Sequence, residues 1–211
     1  MDSFFKNIKD YEYPDDSKTD HHNQKNEKKY AVINIVLASD AAVGKTAFIY
    51  RLSYENYKDY MENDKHLFAT IGCDFIFLKL KYKDINIKFI IWDTEWINSA
   101  RFYNNSNLFK KADIVFLFYD SSSEFALDAF KDKKNFFKEV CKRNAIFALI
   151  RNKYDINRRI EISDEEALEF ADENNMLFFH LSLHEKNETG IKELFETVLD
   201  EYFRKKEEEE K

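Results

Sequence analysis

The sequence is short of glycine, proline and cysteine. Its 211 residues include only three glycines, one proline and two cysteines. At the usual share of roughly 7%, a chain this long would carry about 15 glycines. Glycine accepts left-handed backbone and lets a ligand come close to the chain. Each of Gly44, Gly72 and Gly190 therefore marks a place where one of those needs is expected. Cys73 and Cys141 cannot build a disulfide framework, so a reducing compartment is expected. No apolar run approaches the roughly 18–20 residues of a membrane span. The opening Met1-Asp2-Ser3-Phe4 lacks the basic-then-apolar order of a secretory signal, and Asp2 stands where myristoylation needs glycine. The closing Lys206-Glu207-Glu208-Glu209-Glu210-Lys211 has no cysteine to prenylate. The expectation is a cytoplasmic protein with no direct lipid anchor, recruited to any membrane by a partner. An excess of basic residues is missing too: 33 Lys and Arg stand against 40 Asp and Glu, a net charge of −7. That balance argues against nucleic acid as a partner.

What is present is apolar and aromatic. Hydrophobic residues make up 44% and aromatics 17%, with 21 Phe and 12 Tyr, enough for a folded core. Residues 1–28 are polar and aperiodic after Phe5 and contain Pro14, as a flexible extension would. Residues 29–204 read as one domain and 205–211 as a charged tail. Apolar runs of strand length occur at Ala31–Ala38, Ile87–Trp92, Ile114–Tyr119, Ala145–Ile150 and Met176–Leu181. Phe75–Tyr82 alternates, as an edge strand does. Ser163-Asp164-Glu165-Glu166 is a capping box opening a helix through Asn174. Ile191, Leu194, Phe195, Val198, Leu199, Tyr202 and Phe203 form one helical face. Continuous apolar strands alternating with amphipathic helices predict an α/β fold, with a six-stranded, mostly parallel sheet covered on both faces. Ligands of such sheets bind beyond the carboxyl ends of the strands.

The loop after the first strand reads Ser39-Asp40-Ala41-Ala42-Val43-Gly44-Lys45-Thr46, followed by Ala47 and an apolar helix. This is a phosphate loop in its strand–loop–helix context, with Ser39 in place of the first glycine. Backbone N–H groups from Asp40 to Ala47 would surround a phosphate. Lys45 would reach the β- and γ-oxygens and the Thr46 hydroxyl would bind Mg²⁺. Near the end of the fifth run stands Asn152-Lys153-Tyr154-Asp155. N-K-x-D at a strand end reads guanine. The Asp155 carboxylate accepts from both ring N1–H and exocyclic amine, a donor pair adenine does not offer. Lys153 covers the base with its stem, and Asn152 ties this loop to the phosphate loop.

From Lys29 to Phe203 the sequence resembles the Ras superfamily of small GTPases, and within it the Rab family. The stretches that carry the likeness are Ala42-Val43-Gly44-Lys45-Thr46, Thr70-Ile71-Gly72-Cys73-Asp74-Phe75, Ile90-Ile91-Trp92-Asp93-Thr94, Phe118-Tyr119-Asp120, Asn152-Lys153-Tyr154-Asp155 and Thr189-Gly190. The resemblance implies the P-loop small G-protein fold, GTP or GDP as ligand with Mg²⁺, and a switch read by effectors and regulators through residues around 61–76 and 94–110. It assigns the first-switch Mg²⁺ threonine to Thr70 and the carboxylate that holds Mg²⁺ through water to Asp93. It assigns the aromatic against guanine to Tyr57, with Tyr54 and Tyr60 as neighbouring candidates. The last motif, Ser-Ala-Lys in the family, is Ser182-Leu183-His184. A Leu183 N–H could still meet the guanine oxygen, while His184 reads as a surface residue.

The second switch departs from the family. D-T-A-G-Q is here Asp93-Thr94-Glu95-Trp96-Ile97. Trp96 stands where a glycine N–H meets the γ-phosphate, and Ile97 where glutamine orients the attacking water. Isoleucine cannot bond a water, so the resemblance implies slow GTP hydrolysis, or a pseudo-GTPase acting as a protein-binding scaffold. Trp96 also reads as a core residue or a partner-binding anchor.

Overall fold

The computed structural model describes residues 30–53, 72–153, 159–183 and 190–210. Six strands form one sheet: β1 (Ala31–Ser39), β2 (Cys73–Tyr82), β3 (Ile85–Thr94), β4 (Ile114–Tyr119), β5 (Ile146–Arg151) and β6 (Leu177–His180). Their order is β2-β3-β1-β4-β5-β6. Only β2 runs against its neighbour; the other pairs are parallel. The helices are α1 (Lys45–Ser53), α2 (Ser106–Lys111), α3 (Asp128–Val140), α4 (Asp164–Glu173) and α5 (Ile191–Glu209), and a 3-10 turn, Phe102–Asn105, precedes α2. This is the doubly covered parallel sheet that the strand runs predict.

The alternation of β-strand side chains divides the core in two. Ile33, Ile35 and Leu37 of β1 face one side, where Phe48 of α1 and Phe195 of α5 lie parallel at 6.3 Å. Val36 and Ala38 face the other, with Phe102, Phe109 of α2, Phe137 of α3 and Phe170 of α4. Each fully buried phenylalanine contributes about 1.5–3 kcal/mol, so the abundant aromatics supply much of the core. β4, buried at every position, runs between the two clusters.

Local chemistry sets the ends. The Ser163 hydroxyl accepts from Glu166 N–H and the Glu166 carboxylate from Ser163 N–H, closing the capping box of α4. The β2–β3 hairpin turns through Lys83 and Asp84, both left-handed at φ +44° and +67°. Hairpins usually place asparagine or glycine there; this chain spends neither. The helix α5 continues to Glu209, so most of the charged 205–211 segment is helical. On the hairpin face turned toward the second cluster, Phe75 tilts against Trp92 with ring centres 4.7 Å apart.

The first strand lies centrally, with β3 on one side and β4 on the other. Chain connections diverge at its carboxyl end, which is where doubly wound sheets open a crevice. The loop from β1 to α1 sits at that point.

Candidate nucleotide site

The β1–α1 loop delivers a cation, a hydroxyl and a carboxylate to one place. Gly44 takes φ +108°, and its carbonyl receives the Phe48 N–H at 2.9 Å in the first turn of α1. Ala42 also sits in left-handed backbone, at φ +58°, a strain of order 1 kcal/mol for a residue with a Cβ. Lys45 is buried, and its Nζ donates to Ser39 Oγ at 2.7 Å. Ser39 Oγ in turn donates to the Asp40 carbonyl at 2.6 Å. Burial lowers the Lys45 pKa, and the carboxylates of Asp93 and Asp40 partly oppose that. Thr46 Oγ1 donates to Asp93 Oδ2 at 2.6 Å. The Asp40 side chain accepts from Ala41 N–H at 2.9 Å and so shapes its own turn.

The loop after β5 is bonded onto this one. Asn152, itself buried, donates from Nδ2 to the Val43 carbonyl at 2.8 Å, and its N–H donates to the Tyr119 carbonyl at 3.1 Å. Lys153 takes φ +61° and donates from Nζ to the Ala42 carbonyl at 2.9 Å and to Asp120 Oδ2 at 3.1 Å. Burial pushes the Asp120 carboxyl up, but bonds from Ser122 and Lys153 outweigh it and hold the group below its ordinary value. Ser182 and Leu183, after β6, are both buried.

Gly44 shows why glycine survives here. A Cβ on it would fall on the Asn152 side-chain amide, and the backbone is left-handed as well. Gly44→Ala is expected to push Asn152 off the Val43 carbonyl. In a melting assay it should lose several degrees, at about 2–4 °C per kcal/mol for a domain of this size. It should also lose any stabilisation by added guanine nucleotide.

The second-switch segment follows β3. The Thr94 hydroxyl donates to the Leu37 carbonyl at 2.7 Å, fastening β3 to β1. Trp96 is 38% exposed. Ile97 is fully buried in the cluster of Val36, Ala38, Phe102 and Phe109, and its N–H donates to the Ser39 carbonyl at 2.8 Å. The alignment with D-T-A-G-Q puts Ile97 in the glutamine position. In space its side chain is a core residue, because an isoleucine beside an apolar sheet face gains more from burial than from water. Tyr57, Thr70, Asp155 and His184 lie outside the described residues.

Three features went unread in the sequence. One is the Lys45–Ser39 bond, which joins residues across a loop. Another is Glu95, whose carboxylate is buried beside Gly72. The third is a polar group at the ends of β4, β5 and β6. Strand register sets Tyr119, Arg151 and His180 side by side at the ends of β4, β5 and β6. Asp164, in the first turn of α4, accepts from Arg151 Nη1 and lies 3.0 Å from His180 Nε2. Burial raises the Asp164 carboxyl, yet the bonds from His180 and Arg151 prevail and it sits below its ordinary value. The Tyr119 hydroxyl is fully buried, which drives its pKa up. Only the register of neighbouring strands, which the sequence does not print, could have revealed this group.

A phosphate loop between the first strand and first helix of a mostly parallel sheet, with a second loop bonded across it, defines a P-loop nucleotide-binding protein. The donor set suits magnesium: a threonine hydroxyl and a carboxylate are hard oxygen ligands, already within bonding distance of each other. Comparison with known proteins shows the family. The model of the Ras family matches residues 34–204. Ras-related protein Rab-5A of Dictyostelium discoideum is 30% identical over 174 residues, covering 81% of this chain and 80% of that one. The chain belongs to the Ras family and is a Rab-like small GTPase in sequence and fold.

Proposed function

We propose that the chain is a guanine-nucleotide switch that binds GTP or GDP with Mg²⁺ and hydrolyses GTP slowly. The bond from Asn152 to the Val43 carbonyl carries this reading. It joins the loop that would read the base to the loop that would hold the phosphates, a link that serves a ligand spanning both. Lys45 would meet the β- and γ-phosphates, and the backbone from Asp40 to Ala47 would line them. Asp155 would accept from guanine, with Ser182, Leu183 and His184 beside the base and Tyr57 against it. Thr46, Thr70 and Asp93 would hold Mg²⁺, which would neutralise phosphate charge when bound.

Slow turnover is supported by the burial of Ile97, which leaves that position no polar group for orienting water. The same observation favours a second reading, a nucleotide-holding scaffold without turnover. Both readings place effectors and regulators against residues around 61–76 and 94–110. Among the described residues no helix is long and apolar enough to cross a membrane. Either reading is compatible with recruitment to vesicle membranes by a partner.

Nucleotide released by denaturing the purified protein tests the proposal. Guanine nucleotide in the supernatant, with a higher melting temperature in GTP and Mg²⁺, is expected. Absence of both signals would overturn the switch reading. Single-turnover hydrolysis then separates the two readings: a slow but measurable rate supports the switch, and no phosphate release supports the scaffold.

A further inference from the structure

Just past β3 lies a buried carboxylate that neither the phosphate loop nor the base loop uses. Glu95 is 3% exposed. Its Oε1 accepts from Gly72 N–H at 2.6 Å, and its Oε2 from the Ser99 hydroxyl at 2.5 Å. Arg101 Nη1 stands 3.8 Å from Oε1 at the rim. In the backbone, Glu95 N–H donates to the Gly72 carbonyl at 3.2 Å. That bond lies one step beyond the last ladder pair, Cys73 with Thr94. One residue thus holds Gly72 twice, by main chain and by side chain. Two residues on, Ile97 N–H reaches the Ser39 carbonyl and its side chain enters the core. These contacts fasten the segment to the start of β2 and to the end of β1.

We propose that Glu95 is a positioning residue that joins the start of β2 to the exit of β3 without nucleotide, so that this junction is assembled in every nucleotide state. The inference rests on the reading of the chain as a guanine-nucleotide switch. In such a switch the triphosphate and its metal order the segments around Thr70 and Asp93. A ligand shifts a conformational equilibrium only by its differential affinity for the two states. Where the protein's own carboxylate already holds the junction, GTP and GDP have less left to distinguish. The alanine of D-T-A-G-Q could make neither side-chain bond. Charge-assisted bonds to a buried carboxylate are among the stronger ones, and their loss strands the Gly72 N–H.

Residue-resolved amide hydrogen exchange tests this on the full chain, nucleotide-free, with Mg²⁺ and GDP, and with Mg²⁺ and a non-hydrolysable GTP analogue. In the wild-type protein the Gly72 amide is expected to be protected equally in all three. In Glu95→Ala its nucleotide-free exchange should quicken roughly 10- to 100-fold. The analogue should restore protection, and the ratio of analogue to GDP affinity should widen. Glu95→Gln keeps an acceptor oxygen and should fall between. Ser99→Ala removes one donor without touching Gly72; it should give a smaller acceleration and serves if Glu95→Ala melts throughout. Gly72 exchanging at the rate of free peptide in nucleotide-free wild-type protein, or unchanged by the Glu95 substitutions, would overturn the proposal. Failure of every nucleotide to bind would overturn the switch reading instead, and the nucleotide-free exchange rates would still decide the role of Glu95.

Discussion

Lys45→Ala is expected to weaken GTP and GDP binding at least a hundredfold, a loss of about 3 kcal/mol or more. Titration with a fluorescent GTP analogue reads it directly. The ammonium is buried, and among the described residues its charge faces Ser39, Asp93 and Asp40. In so dry a place a bond to phosphate oxygen is far stronger than in water. The nucleotide-free protein should hardly notice the change, because burial already lowers the Lys45 pKa and so makes the charge a cost to the fold. The melting temperature of ligand-free Lys45→Ala should therefore stay within a few degrees of wild type. A large fall in both affinity and ligand-free stability would mean that Lys45 is a structural residue. Ser39 has a part in this balance. Its hydroxyl accepts from the Lys45 ammonium, so a phosphate would share a lysine that already has a partner.

Ile97→Gln is expected to destabilise the protein by about 3–5 kcal/mol, through lost apolar contact and an amide buried without partners. At about 2–4 °C per kcal/mol, the melting temperature should fall by roughly 6–20 °C. Hydrolysis should not quicken in single-turnover assays. The sequence comparison alone suggests the opposite, since it puts a catalytic glutamine back into D-T-A-G-Q. The structure decides between them: position 97 points among Val36, Ala38, Phe102 and Phe109, and its N–H is tied to the Ser39 carbonyl. A glutamine there would have to tear the segment from the core before it could touch a water. A rate increase with an undisturbed melting temperature would mean that the segment turns over freely.

These two residues also mark how far the sequence could be read. Lys45 was legible because its chemistry is local: a strand, a loop and a helix start stand next to one another in the chain. The strands were legible for the same reason, as runs of apolar residues with a period of two or none. The orientation of Ile97 was not, because an alignment gives the order of residues and not the direction of a side chain. The helix α3 was hidden by its composition. Asp128–Val140 is rich in lysine and buries only Ala129, Phe130 and Phe137. The group of Arg151, Asp164 and His180 depends on which strands are neighbours and in what register. In the sequence Glu95 is one more departure from D-T-A-G-Q; its two donors, Gly72 and Ser99, are set by the fold.

The chain has only two tryptophans, Trp92 and Trp96. One lies on β3 against Phe75 and the other stands half-open four residues on, so both occupy the corner where Glu95 meets Gly72. Light absorbed by tryptophan is thus emitted from this corner and from nowhere else in the molecule. A soluble quencher would reach the indole of Trp96 before that of Trp92. The protein carries its own optical reporter at the joint that Glu95 makes between the exit of β3 and the start of β2.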